Sequence, residues 1–202
     1  MKGSIIVIMF FISGLICGVL DILPSFFIDS DISFYALIAL MFCVGISIGC
    51  DADTLNKFKS LDRRMLLLPL STIMGTLAGC AVTSLFVSGR GLIECLAIGS
   101  GLGYYSLSSI FITEYMGAEA GTIALISNII REVITLLCAP LIARYFGKLA
   151  PISCGGATSM DTTLPIISSA CGSEFVIVSV YHGVVCDFSV PFMVTLFCTM
   201  SC

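Results

Sequence analysis

The chain has no tryptophan, a single histidine and little charge: 11% of its 202 residues are Asp, Glu, Lys or Arg, against 58% hydrophobic. Ordinary soluble domains carry about 25% charged residues, so this scarcity, with a mean hydropathy of +1.12, excludes a soluble fold and leaves an integral membrane protein. Catalytic and metal signatures are missing too. The eleven cysteines stand singly, with no CxxC pair or Cys/His cluster of metal-ligand spacing, and read as small apolar packing residues. No His-Glu-x-x-His, Gly-x-Ser-x-Gly or paired protease aspartates occur. Neither an enzyme nor a cofactor or metal is expected. The net charge of −4 says little about partners, because in a membrane protein the placement of Lys and Arg matters more than their sum. No nucleic-acid partner is expected.

What the chain does have is apolar length. About 20 apolar residues cross a bilayer as a helix, and such segments lie near 4–27, 33–50, 65–88, 91–112, 118–143 and 174–200, with 150–172 apolar but interrupted. Lys2 ahead of the first run resembles a secretory signal, yet no cleavage site follows. Leu15-Ile16-Cys17 lacks the small residue that a lipoprotein site needs before its cysteine. We therefore read 4–27 as a true span and the fold class as an all-α polytopic membrane protein, a single transmembrane domain over residues 1–202.

Two polar breaks interrupt the apolar pattern, Gly99-Ser-Gly-Leu-Gly-Tyr-Tyr-Ser-Leu-Ser-Ser109 and Gly155-Gly-Ala-Thr-Ser-Met-Asp-Thr-Thr163. Non-helical backbone at membrane depth is tolerated only where it is buried in protein or lines a water-filled cavity, which points to a solute pathway. Lys57, Lys59, Arg63 and Arg64 place the loop 51–64 and the N-terminus in the cytoplasm, with Asp29 and Asp31 on the far side. Arg144 and Lys148 are cytoplasmic only if 91–112 dips in from outside and 150–172 dips in from inside. This gives five full spans and two re-entrant segments. Gly103-Tyr-Tyr-Ser106-Leu107-Ser108-Ser109 can be laid on Gly156-Ala-Thr-Ser159-Met160-Asp161-Thr162, the pattern expected of inverted repeats whose tips meet around substrate and ions.

Few residues carry chemistry. Asn128 and Glu132 are four apart and share one helix face, with Ser127 and Arg131 on the neighbouring one. A carboxylate near a bilayer centre costs about 2.5–3.5 kcal/mol, so Glu132 either forms a neutralising pair, with Arg131 or another helix, or is a titrating or substrate-binding group. Asp161 is either a helix cap before Leu164-Pro165 or a second cavity carboxylate. His182, in the last span with Asp187, is read either as a proton relay or as a structural hydrogen-bonder. Tyr104 and Tyr105 either line a cation site or fill the fold. Glu94, Glu114, Glu119 and Glu174 lie near span ends and need no special role.

The first break with Thr113-Glu114, Asn128-Ile-Ile-Arg131-Glu132, the run Cys154-Gly-Gly-Ala-Thr-Ser-Met-Asp161-Thr-Thr-Leu-Pro165, and His182-Gly183 occur in an order and spacing that resembles the bacterial lysine exporter family. The likeness extends back through Val44-Gly-Ile-Ser-Ile-Gly49 and Leu61-Asp-Arg-Arg64 over nearly the whole chain. It implies export of L-lysine, and of toxic analogues such as thialysine, across the inner membrane by exchange with a coupling ion, H+ or Na+. By motif, the essential intramembrane acids are Glu132 and Asp161. In that scheme they receive the lysine ammonium, while Tyr105, Ser106, Ser108, Ser159 and Thr162 at the tips 101–109 and 155–163, with Asn128 and Arg131 nearby, complete the site. Full-length members carry a further N-terminal membrane region with its own intramembrane aspartate. Asp21 and Asp51, near span ends, are poor substitutes for it, so a short membrane partner subunit or a homodimer is expected to supply the rest. Two alternatives keep the breaks: a channel or carrier for another small solute, and a non-transporting assembly subunit.

Overall fold

The computed structural model describes residues 63–87 and 89–201, with isolated positions between 9 and 46. The predicted spans 4–27 and 33–50 and most of the basic loop 51–64, on which the orientation rests, lie outside the described residues. Among the described residues the fold is helical and contains no strand. After a single turn, Arg63–Leu66, come α1 (Leu68–Ser84), α2 (Leu92–Gly99), α3 (Tyr105–Met116), α4 (Ala118–Phe146) and α5 (Ala150–Gly155). A 3-10 turn (Gly156–Met160), α6 (Leu164–Cys171), a second 3-10 turn (Ser173–Phe175) and α7 (Val176–Ser201) complete the order.

Two helical stretches, Ala118–Phe146 and Ser173–Ser201, are long and apolar enough to cross a membrane. Only 17% and 28% of their most apolar windows are buried, which separates them from the core helices of a soluble protein. Val184, Phe188, Phe192, Leu196 and Met200 recur every four residues as an exposed stripe on α7. Ile123, Ile126, Ile130, Ile134 and Leu141 form a comparable surface on α4. Apolar faces this continuous suit lipid rather than water. The buried face of α4 is instead made of small and polar residues, Ala120, Gly121, Ala124, Asn128, Thr135 and Ala139, and small residues let helices approach closely inside membranes.

Both predicted breaks are present. The segment predicted as 91–112 is two helices, α2 and α3, parted at Ser100–Tyr104 and running on to Met116. The segment predicted as 150–172 is α5, a 3-10 turn and α6. Each broken hairpin has its own apolar cluster against both long helices. Ala97, Ile112, Ala124 and Val190 belong to the first; Ile152, Ile167, Ala139 and Val178 belong to the second. The described cysteines form no disulfide; Cys171, Cys186 and Cys198 are buried, and Cys186 Sγ lies 3.6 Å from His182 Nε2.

The tips of the two hairpins meet. The Ala157 N–H donates to the Leu102 carbonyl at 2.9 Å. To aim that carbonyl, the fully buried Leu102 adopts φ +46°, a left-handed conformation uncommon outside glycine. Opposite it, Gly156 at φ +63° leaves no room for a side chain: a Cβ there would collide with the Leu102 carbonyl. Gly156→Ala should therefore combine backbone strain of about 1–3 kcal/mol with an overpacking penalty of similar size. The expected outcome is a fall in thermal midpoint of roughly 5–10 °C in detergent, measured by intrinsic tyrosine fluorescence or differential scanning calorimetry.

Candidate functional site

Beside the crossing of the tips lies a cavity of about 420 Å³, within the size range of small-molecule sites. The first break supplies Gly103, Tyr104, Tyr105 and Ser106, and the second supplies Ala157, Thr158, Met160, Asp161 and Thr162. Glu132 reaches in from α4 and Asp187 from α7. Of the residues singled out from sequence, the fold thus brings together Glu132, Asp161, Thr162, Tyr105 and Ser106. Asn128, Arg131, Ser108, Ser159 and His182 do not line the cavity.

Those five build the scaffold behind it. Asn128 is buried on α4, where its Oδ1 accepts the Gly103 N–H at 2.7 Å. Its Nδ2 donates to the Ala124 carbonyl at 2.9 Å and to Ser108 Oγ at 3.3 Å. Ser108 in turn donates to the Tyr104 carbonyl at 2.8 Å. The first break, having given up helical hydrogen bonds, is held by a side chain of the neighbouring helix, as buried backbone groups require.

Arg131 does the same for the second hairpin. Its Nε donates to the Cys154 carbonyl at 2.8 Å, its Nη2 to the Ser153 carbonyl at 3.0 Å, and its Nη1 to Thr76 Oγ1 on α1 at 3.4 Å. The carbonyls at the end of a helix have no partner within it, and the planar guanidinium fork reaches two of them together. The neutralising pair of Arg131 with Glu132 is therefore not formed. Consecutive helix residues point in different directions, and Arg131 turns to the end of α5 while Glu132 turns to the cavity.

His182 on α7 is fully buried. Its Nε2 lies 2.9 Å from Thr72 Oγ1 on α1, and its Nδ1 lies 3.0 Å from Ser159 Oγ in the second tip. Ser159 also donates toward the Gly156 and Ser179 carbonyls at 2.7 and 3.0 Å, and Ser179 Oγ returns a bond to the Ser159 carbonyl at 2.7 Å. His182 thus joins α1, α7 and the second tip.

Asp161 does not act as a side-chain cap for α6. The N-cap position is Thr163, with no side-chain cap bond, and Asp161 Oδ1 instead accepts the adjacent Thr162 N–H at 2.5 Å. The Thr162 hydroxyl donates to Asp161 Oδ1 at 3.4 Å, and Glu132 lines the same cavity. No lysine, arginine or histidine is among the described lining residues. Such a lining attracts cations: an ammonium about 4 Å from one carboxylate gains roughly 4 kcal/mol at an effective dielectric of 20. In the first break, α3 begins without a side-chain cap, leaving first-turn amides without a partner in the helix.

Asp187, Thr158 and Met160 line the cavity without having been singled out as site residues. Thr158 and Met160 are generic by type, and only the fold of the second break turns them inward. Asp187 had a visible signal, an acid inside an apolar span, of the kind that is expensive and functional in membranes.

The family described as "Lysine exporter LysO" matches residues 8–198. A protein of Escherichia coli (strain K12) named "Lysine exporter LysO" is 33% identical over 168 residues, which covers 83% of this chain and 55% of that protein. A protein of Haemophilus influenzae (strain ATCC 51907 / DSM 11121 / KW20 / Rd) named "Putative lysine exporter" is 32% identical over 163 residues, covering 81% of this chain and 82% of that protein. The chain thus spans little more than half the length of its E. coli relative. No solved structure matches it.

The division between lining and scaffold has a measurable consequence. Arg131→Ala strips partners from two helix-end carbonyls and should cost about 2–4 kcal/mol, a fall in thermal midpoint of roughly 5–10 °C. Glu132→Gln keeps shape and hydrogen bonding at the cavity wall and should leave the midpoint within about 2 °C. Thermal unfolding of the two purified variants side by side checks this.

Proposed function

We propose, from the premise that the chain belongs to the lysine exporter family, that it forms the cation-binding core of an exporter carrying L-lysine outward across the cytoplasmic membrane. The family is one of transporters, not enzymes. The observation that carries this reading is the cavity at the meeting of the two broken hairpins, acidic on Glu132 and Asp161 and without a basic residue among its described lining.

In this reading Glu132 and Asp161 receive a lysine ammonium, with Thr162 keeping the Asp161 carboxylate oriented. The Tyr105 and Ser106 side chains and the first-turn amides of α3 take the α-carboxylate. Asn128, Ser108, Arg131, Ser159 and His182 hold the tips in register and contribute through geometry. The driving ion, a proton or sodium, competes for the same carboxylates from outside, expels the substrate cation and resets the carrier. Thialysine, which presents the same charged groups, would travel the same way. The two hairpins act as re-entrant segments entering from opposite faces, with the N-terminus cytoplasmic and the whole chain as one transmembrane domain.

A second reading concerns completeness. The E. coli relative extends well beyond the matched region, which favours a working unit assembled from this chain with a short membrane partner or with a second copy of itself. An assembly subunit without a transport role, or a carrier for another small cation, would have the same fold.

Labelled lysine flux driven by a proton or sodium gradient in proteoliposomes tests the proposal, with this chain alone and with candidate partners. Glu132→Gln and Asp161→Asn should each lower flux at least about tenfold, as expected for losing a charge-assisted contact of roughly 1.5–3 kcal/mol. Arginine-free liposomes with norleucine as a mock substrate set the background. Lysine flux equal to that background from folded wild-type protein, with and without partners, would sink the reading.

A further inference from the structure

Beyond their breaks, the two halves of the described fold match at three positions. A shift of 55 residues carries Gly117 to Gly172, Glu119 to Glu174 and Glu132 to Asp187. The first two pairs are equivalent in structure. Gly117 (φ +91°, ψ 167°) joins α3 to the long helix α4, and Gly172 (φ +108°, ψ 154°) joins α6 to the stretch that becomes α7. Two residues on, each glutamate closes its hairpin with an ion pair. Glu119 accepts from Arg90 at 2.6 Å, and Glu174 accepts from Lys148 at 3.2 Å. Arg90 and Lys148 each stand two residues before the first half-helix of their hairpin, which begins at Leu92 and Ala150 respectively. Backbone conformation and acid thus agree in this register, while the two counter-ions stand 58 residues apart, each placed by the start of its own hairpin.

The same register pairs Glu132 on α4 with Asp187 on α7, and both line one cavity. We propose that Asp187 is the repeat counterpart of Glu132 and a third binding carboxylate. The cavity then meets cations from both long helices as well as from the tip carrying Asp161. With three carboxylates and no basic residue among its described lining, it suits a ligand whose positive charge exceeds its negative charge. A neutral amino acid brings one ammonium and one carboxylate, leaving the added acids uncompensated. A diamino acid brings a second ammonium on a flexible stem. Asp187 therefore sets selectivity for a second ammonium group. The register stands on its own; the choice of lysine as ligand rests on the exporter reading.

The test is calorimetric titration of the full chain in lipid nanodiscs with L-lysine, with norleucine, which lacks the side-chain ammonium, and with 1,5-diaminopentane, which lacks the carboxylate. Asp187→Asn should weaken lysine about tenfold, the size of one charge-assisted contact, and lower the lysine-over-norleucine preference by a similar factor. Asp187→Glu should restore most of the affinity, which a loss of folding would not allow. Glu119→Gln, which shares the register but lies outside the cavity, should bind as the wild type does. Asp187→Asn that binds lysine and the diamine as tightly as the wild type overturns the proposal while leaving the exporter reading intact. Wild-type protein that binds the diamine but not lysine overturns the lysine reading, and a tenfold loss of diamine affinity in Asp187→Asn then still supports the role of Asp187. Binding of neither ligand overturns both.

Discussion

The hydrogen bond from Ala157 N–H to the Leu102 carbonyl is the contact on which the rest of the fold is arranged. Each hairpin abandons helical hydrogen bonding where it turns, and in an apolar setting each orphaned backbone group costs several kcal/mol. Joining the tips satisfies part of that need directly. It also demands the left-handed Leu102 and the side-chain-free Gly156 facing it. Gly183 extends the same requirement to α7, because a Cβ there would collide with Met160 and with the Ala157 carbonyl.

The remaining backbone need is met by polar side chains placed one helix away. Asn128 holds the first break, Arg131 holds the end of α5, and His182 with Ser159 and Ser179 holds the second break against α1 and α7. All of these have hydrogen-bond partners within the protein. Glu132, Asp161 and Asp187 stand differently, because they face a cavity. Hydrogen-bond satisfaction by the frame thus separates scaffold from cavity lining more sharply than residue type does.

Much of this was legible in the chain. Length and apolarity of 118–143 and 174–200 foretold α4 and α7, and the glycine- and hydroxyl-rich runs foretold both breaks, because neither pattern depends on what packs where. Membership in a family was equally legible from motif order. Glu132 and Asp161 could be picked out by their cost in an apolar setting. The choice between an Arg131–Glu132 pair and a free carboxylate could not be made from spacing, since it turns on the open carbonyls at the end of α5, a partner about 20 residues away. Gly117-Ala-Glu119 and Gly172-Ser-Glu174 were present in the letters as well, yet Gly-x-Glu is too short to mean anything until a similar glycine conformation and an ion-paired glutamate are seen at both places.

The sequence by itself determined that this is a helical membrane protein with two interrupted hairpins and acids among apolar residues, because hydropathy and backbone-breaking residues act locally and along the chain. Only the tertiary structure decided which polar groups build and which remain available. Hydrogen-bond satisfaction is a property of neighbours in space, and residues as far apart as Gly103, Glu132, Asp161 and Asp187 become neighbours only when the two tips close on each other.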